Sequence, residues 1–168
     1  YLIKGRVLMA QKNPEAAEAA LQKAIEVGPD KPTNYQMLLS FYHSSGKRDQ
    51  ALATIRTMIG KFPDQAEPRL ILASIYREAG ELDKAEAVFN EALPLFPKDS
   101  RLRLVVAEFY EQQGKIDQAE TTLKEAMAIA EKPLDVQARL ADFYFEHKKF
   151  DLAQKNLDEV LAKESGNK

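Results

Sequence analysis

The sequence predicts an all-α protein built from five tandem helical hairpins, and three observations support this prediction. Residue types recur at a fixed interval of 34 positions along almost the whole chain. Apolar residues make up 45% of the sequence and charged residues 30%, a balance typical of a folded chain. Isolated glycines and prolines fall at regular places between segments that are rich in good helix formers.

The repeat is clearest in rows of residues that share one position in successive units. Alanine suits a place where two helices cross closely, and larger apolar residues suit the space between hairpins. Tyrosine predicts stiff, partly polar rings packed along the first helix of each unit. The alanine row is Ala17, Ala51, Ala85, Ala119 and Ala153, the apolar row is Leu21, Ile55, Phe89, Leu123 and Leu157, and the tyrosine row is Tyr42, Tyr76, Tyr110 and Tyr144.

A second row of small residues indicates another close helix contact, and it has one exception. Its members are Gly5, Ala73, Ala107 and Ala141, whereas Leu39 occupies the same position in the second unit.

Glycine, aspartate and proline predict where the helices begin and end. Glycine tolerates the left-handed backbone at the end of a first helix, aspartate caps a second helix, and proline marks the link to the next unit. The glycines are Gly46, Gly80 and Gly114, the aspartates are Asp49, Asp83, Asp117 and Asp151, and the prolines are Pro29, Pro63 and Pro97. The predicted helix pairs are 1–12 with 15–28, 33–45 with 49–61, 67–79 with 83–95, 101–113 with 117–131, and 134–147 with 151–163.

The third unit resembles the tetratricopeptide repeat, whose 34-residue pattern reads W-x2-L-G-x2-Y, then A-x3-F, then P. Leu72-Ala73, Tyr76, Ala85, Phe89 and Pro97 match that pattern in order. The position of the opening tryptophan is the main departure, because an arginine stands there. The resemblance extends over 1–164 as a single array, with units of about 1–31, 32–65, 66–99, 100–133 and 134–164 and a tail of 165–168.

This resemblance implies a right-handed α-α superhelix in which first helices line a groove for a protein or peptide. Members of the family rarely catalyse reactions, so no catalytic residue is expected. Some members hold a C-terminal carboxylate with a set of Lys, Asn and Arg, but the matching positions here carry Leu, Gln, Ser, Glu and Asp. The chain is interpreted as part of a larger bacterial protein, because it begins with Tyr1 inside a repeat.

The helical period predicts which side chains of the first helices face the groove. The candidates are Gln36, Ser40, His43, Leu70, Ser74, Arg77, Arg101, Leu104, Glu108, Glu111, Arg139, Asp142 and Phe145. Their acidic and apolar members favour a partner with basic and apolar residues. A solvated polar face without a ligand is an equally good interpretation of the same charges.

Other function classes find little support in the sequence. A net charge of −2 and a pI near 5.8 argue against a nucleic-acid partner, and no apolar run is long enough to span a membrane. His43 and His147 are far apart in sequence, so no metal site is expected, and neither is any cofactor.

Two functional interpretations therefore stay open. The first is an interaction scaffold that acts as an adaptor or assembly factor. The second is a structural spacer or self-associating array, for example in an envelope or polysaccharide-export protein. Phe150, Leu157 and Leu161 favour self-association, since terminal repeats without a polar covering expose apolar residues.

Overall fold

A computed structural model describes residues 1–165 of the chain and places ten helices in them. The helices are α1 (Leu2–Ala10), α2 (Pro14–Val27), α3 (Pro32–Ser44), α4 (Arg48–Lys61), α5 (Glu67–Glu78), α6 (Leu82–Leu95), α7 (Ser100–Gln112), α8 (Ile116–Ile129), α9 (Pro133–Glu146) and α10 (Phe150–Ser165). Every predicted helix is present, and the ends agree with the prediction within two residues. The predicted tail lies outside the described residues except for Ser165, where α10 ends.

The turn inside each hairpin has a left-handed residue, as the glycine spacing predicted. Gly46 has φ +67°, and its N–H donates to the carbonyl of His43, while Lys47 N–H donates to the carbonyl of Tyr42. This pair of bonds is the Schellman motif, which satisfies the last carbonyls of the first helix. Lys12 and Lys148 adopt the same left-handed backbone in the turns that lack glycine.

The aspartates near the second helices do not cap them, and this expectation was wrong. Asp49 and Asp117 are the second residues of α4 and α8, whose capping positions are Lys47 and Lys115 without a side-chain bond. A carboxylate inside the first turn instead interacts favourably with the positive end of the helix dipole.

The described residues divide into two compact units, 1–89 and 90–165, and the division falls within α6. In unit 1, α1 pairs with α2 and α3 with α4, and successive hairpins meet through α2 against α3 and α4 against α5. Its core contains Leu21, Ile55 and Met58, which are fully buried. The small-residue rows hold the helices close, since a Cβ on Gly5 would lie 2.6 Å from Leu21 Cδ2.

Unit 2 repeats this packing with α7 against α8, α8 against α9, and α9 against α10. Phe109, Leu123 and Phe143 are at most 2% exposed and form the centre of its core. Ala119 is fully buried at the helix crossing, so the alanine row has the packing role that its spacing predicted.

Candidate functional site

The first helices of unit 1 enclose a cavity that contains four of the predicted groove residues. Gln36, Ser40 and His43 of α3 and Ser74 of α5 line a cavity of about 470 Å³. These side chains project from neighbouring helices because the 34-residue repeat places equivalent turns of α3 and α5 side by side. Leu70 and Arg77, which were also predicted to face the groove, lie on α5 but do not line the cavity.

The floor of this cavity is apolar. Leu39 of α3 contributes to it together with Ile71 and Ile75 of α5, and Ala51 of α4 closes one side. Leu39 is only 6% exposed, so it contacts the cavity at its deepest part, away from solvent. An apolar floor beneath polar side chains is typical of sites that bind another molecule.

Charged side chains lie at the edge of the cavity. Glu78 accepts a hydrogen bond from the Ser74 hydroxyl at 3.2 Å, and its other carboxylate oxygen lies 3.4 Å from His43 Nδ1. Arg48 also lines the cavity, and its Nη2 donates to Glu81 Oε1 at 2.5 Å, while Lys84 Nζ donates to the second oxygen of Glu81 at 2.6 Å.

In unit 2, the predicted groove residues Arg101 and Leu104 line a separate, wider cavity of about 730 Å³. The cavity lies between the start of α7 and the segment that enters α9, where Lys132 and Asp135 face it. Its lining mixes basic and acidic groups, so its charge favours neither sign of ligand.

Glu111 and Arg139 were predicted to face a ligand, but the structure brings them into contact with each other. Arg139 Nη2 donates to Glu111 Oε2 at 2.5 Å, and His147 Nε2 lies 2.9 Å from the other carboxylate oxygen. The His147 ring also packs against Phe143 with 4.6 Å between ring centroids. This cluster joins α7 to α9 and uses both oxygens of Glu111.

The remaining predicted residues of unit 2 are more accessible. Glu108 accepts a hydrogen bond from Gln112 Nε2 at 2.9 Å, one turn along α7, and Asp142 is exposed on α9. Phe145 is 65% exposed, and its ring meets the ring of Phe150 edge-on at 5.8 Å.

The junction between α8 and α9 contains a polar cluster that we call the tyrosine clamp. Glu120 accepts hydrogen bonds from the Tyr144 hydroxyl at 2.9 Å, from Lys124 Nζ at 2.7 Å and from Lys149 Nζ at 2.6 Å. The bonds from Lys124 and Lys149 lower the pKa of Glu120 to about 2, against the opposing effect of its burial. Burial raises the pKa of the Tyr144 hydroxyl.

Unit 1 has a second tyrosine clamp at the equivalent positions between α2 and α3. Tyr42 donates to Glu18 Oε1 at 3.0 Å and Lys47 Nζ donates to Glu18 Oε2 at 2.5 Å. The hydrogen bond from Lys47 lowers the pKa of Glu18, although burial acts in the opposite direction. Both clamps join consecutive hairpins.

An apolar surface on α10 is also accessible. Phe150, Leu157 and Leu161 are between 45% and 57% exposed. One repeat earlier, Leu123 occupies the position equivalent to Leu157 and is 2% exposed on α8, which packs against α9.

Four of the predicted groove residues line the unit 1 cavity, but its apolar floor was not among the predicted residues. Ile71 and Ile75 belong to the packing face of α5, so their hydrophobic pattern indicated core rather than a ligand. The available signal was Leu39, the one large residue in a row that otherwise holds glycine or alanine. The pairs Arg48–Glu81 and His147–Glu111 join different helices, and spacing alone did not indicate them.

Residues 1–165 contain no helix with the length and apolar character needed to cross a membrane. The same residues contain no group of three or more His, Asp or Glu side chains arranged to hold a metal ion.

The sequence matches the family described as tetratricopeptide repeat over nearly the whole chain. One profile of that family matches residues 42–109, 77–133 and 110–167, and a second matches residues 1–31. None of the curated proteins matches the chain.

Solved structures of tetratricopeptide proteins resemble the chain over nearly its full length. A thermophilic TPR protein of Thermus thermophilus is 24% identical, with coverage of 96% of this chain and 88% of its own and a TM-score of 0.62. MamA is 18% identical, with coverage of 97% and 95% and a TM-score of 0.66. PilF of Pseudomonas aeruginosa is 19% identical, with coverage of 97% and 74% and a TM-score of 0.65. Likeness at this identity confirms the predicted fold class, the α-α superhelical repeat fold.

Proposed function

Because the chain belongs to the tetratricopeptide repeat family, we propose that it binds a partner protein or peptide on its first helices, as an adaptor or assembly factor. Proteins of this fold are generally interaction scaffolds without catalytic activity. The observation that carries the proposal is the cavity between α3 and α5, where polar side chains surround an apolar floor.

The charges of the groove residues support a partner with basic and apolar groups. Glu78 lies beside the unit 1 cavity, and Glu108 and Asp142 are exposed in unit 2, with the accessible ring of Phe145 nearby on α9. Complementary charge guides a partner to such a surface and sets its orientation. We leave Glu111 out of this proposal, since Arg139 Nη2 donates to one of its carboxylate oxygens and His147 Nε2 contacts the other.

Affinity capture with groove variants tests the proposal. We expect two groove variants to recover less of the proteins that the native chain captures. The first is Ser40→Phe, which narrows the unit 1 cavity, and the second is the double variant Glu108→Lys/Asp142→Lys. Glu26→Gln is the control, because Glu26 lies on α2 in an exposed pair with Lys23 that contributes little to stability. Recovery that is the same for all three variants and the native chain would contradict the proposal.

We keep self-association as a second candidate function, with Phe150, Leu157 and Leu161 of α10 as the residues that would mediate it. Leu157 is 45% exposed, whereas its equivalent on α8, Leu123, is 2% exposed where α8 packs against α9. Light scattering over a concentration series tests this possibility, and Leu157→Glu should shift any oligomer towards the monomer. A constant monomer mass for the native chain would rule out this second function.

A further inference from the structure

We infer that the cavity between α3 and α5 binds an apolar side chain of the partner that has a lysine or arginine next to it. This inference rests on the proposed scaffold function and specifies the chemistry of one part of its surface. We call the cavity lined by Leu39, Ser40, Ile71, Ser74 and Glu78, with their neighbours, the α3–α5 pocket.

The size and lining of the α3–α5 pocket suit one large aliphatic or aromatic side chain. Its volume of about 470 Å³ lies within the range of small-ligand sites. Leu39, Ile71 and Ile75 provide apolar contact surface, so the pocket would shield the apolar surface of an entering leucine or phenylalanine side chain from water. Gln36 and Ser40 at the edge offer hydrogen bonds to the backbone of the same segment.

The charge at the pocket edge selects for a cation. Glu78 is 52% exposed on its side chain and contacts the Ser74 hydroxyl and the His43 imidazole, which is charged only when protonated. An incoming lysine or arginine would give this carboxylate a charge-assisted hydrogen bond, which is stronger than its bonds to water or to a neutral donor.

The basic residue of the pocket lining, Arg48, does not offset this preference. Arg48 lies against Glu81, which also accepts a hydrogen bond from Lys84. The guanidinium is therefore already paired with a carboxylate, and an acidic segment would have to displace that carboxylate. An acidic partner would also meet Glu78, so the pocket discriminates against it through like charge.

The test uses short synthetic peptides with blocked ends as probes. One peptide has a central Leu-Lys pair among serines and glycines, a second has Leu-Glu, and a third has Ser-Lys. The measurement is methyl NMR on the full chain with labelled isoleucine methyl groups. Addition of the Leu-Lys peptide should shift the methyl signals of Ile71 and Ile75. The Ile116 signal on α8, outside the lining of both cavities, is the internal control and should stay unchanged.

Variants separate the two parts of the inference. Ser40→Phe fills the pocket entrance from an exposed position and should weaken the Leu-Lys peptide at least about tenfold. Glu78→Gln should weaken it about two- to fivefold, with a smaller loss at high salt. Glu78→Lys should reverse the preference, so that Leu-Glu binds better than Leu-Lys. Glu26→Gln is the matched control, and circular dichroism confirms that each variant is folded.

The outcomes distinguish this inference from the wider proposal. Leu-Lys binding that leaves Ile71 and Ile75 unshifted, or that survives both Ser40→Phe and Glu78→Lys, would overturn the pocket assignment. Equal binding of Leu-Lys and Leu-Glu would overturn the charge preference. If captured partners still depend on Glu108 and Asp142 in that case, the scaffold function stands without the pocket; if no groove variant affects capture, both fail.

Discussion

Two junctions between hairpins of unit 1 occupy equivalent positions in the repeat but differ in chemistry. At the junction of α2 and α3, Tyr42 and Lys47 both donate to the carboxylate of Glu18. Tyr42 is 3% exposed there, so its ring is sealed between the hairpins. A carboxylate with two donors from the next hairpin is well compensated for its partial burial.

The junction of α4 and α5 lacks this clamp because two of its residues differ. Leu52 stands at the position of the glutamate and Glu81 at the position of the lysine. The equivalent Tyr76 is only partly buried, and its hydroxyl meets Arg56 Nη2 at a longer 3.4 Å. The α3–α5 pocket opens beside this junction. The comparison teaches that two substitutions within a fixed backbone repeat accompany the change from a sealed junction to an open one.

The largest expected difference between the junctions concerns overpacking of the alanine row. Ala17→Leu at the clamped junction should lower the free energy of unfolding by about 1–3 kcal/mol, because a fully buried crossing has no room for the added atoms. Ala51 lines the α3–α5 pocket, so Ala51→Leu should cost clearly less. Urea denaturation of both variants provides the measurement. Equal losses would show that the pocket offers no relief and that the junctions do not differ in packing.

A local repeat makes the helices and the buried residues of this chain predictable from its sequence. Ala17, Ala51 and Gly46 repeat because each hairpin needs the same crossing and the same turn, so helices and core were predictable. The position of an ion pair such as Arg139–Glu111 depends on how two side chains from different repeats extend towards each other. Helical periodicity predicts that both lie on the groove side of their helices but does not determine whether they contact a ligand or one another.

The aspartate caps show a second limit of the sequence analysis. Asp49 lies three residues beyond Gly46, a spacing that suits a cap if the helix starts after it. The Schellman turn ends with Lys47, so α4 begins at Arg48 and Asp49 falls within its first turn. A shift of one or two residues in the helix start was enough to change the role of the side chain.

Acid should weaken the clamped junction of unit 2 through Glu120. Its pKa is lowered from 4.5 to about 2 in the folded chain, so its stabilising contribution is complete above about pH 4.5 and is lost as the pH falls towards 2. Glu120→Gln should therefore cost about 1 kcal/mol at neutral pH and little near pH 2. Denaturation at a series of pH values measures this difference. Glu26→Gln, which removes a carboxylate from an exposed pair on α2, is the control, and parallel pH profiles for native chain and Glu120→Gln would contradict the assignment.

A substitution in the turn next to this clamp should change the free energy of unfolding by a similar or smaller amount, in the stabilising direction. Lys148 has φ +59°, a left-handed conformation that is costly for a residue with a Cβ, whereas Gly80 and Gly114 adopt it in other hairpins. Lys148→Gly should raise the free energy of unfolding by about 0.5–1 kcal/mol, after the entropy that glycine loses is subtracted. Thermal denaturation gives the measurement. The same gain in a Glu120→Gln background would show that turn strain and clamp act independently, while a destabilised Lys148→Gly would refute the strain argument.

The smallest effect is expected at the open junction, where Arg48 and Glu81 form a pair at the surface. Arg48→Gln should lower the melting temperature only slightly, because exposed ion pairs gain little over their separate hydration. The loss should disappear at high salt, which screens the pair. Breaking the clamp with Lys47→Gln should cost more, since Glu18 is less exposed than Glu81 and also holds Tyr42. If Arg48→Gln were instead the more damaging change, the α4–α5 junction would depend on its ion pair, and the contrast between a sealed and an open junction would have to be reversed.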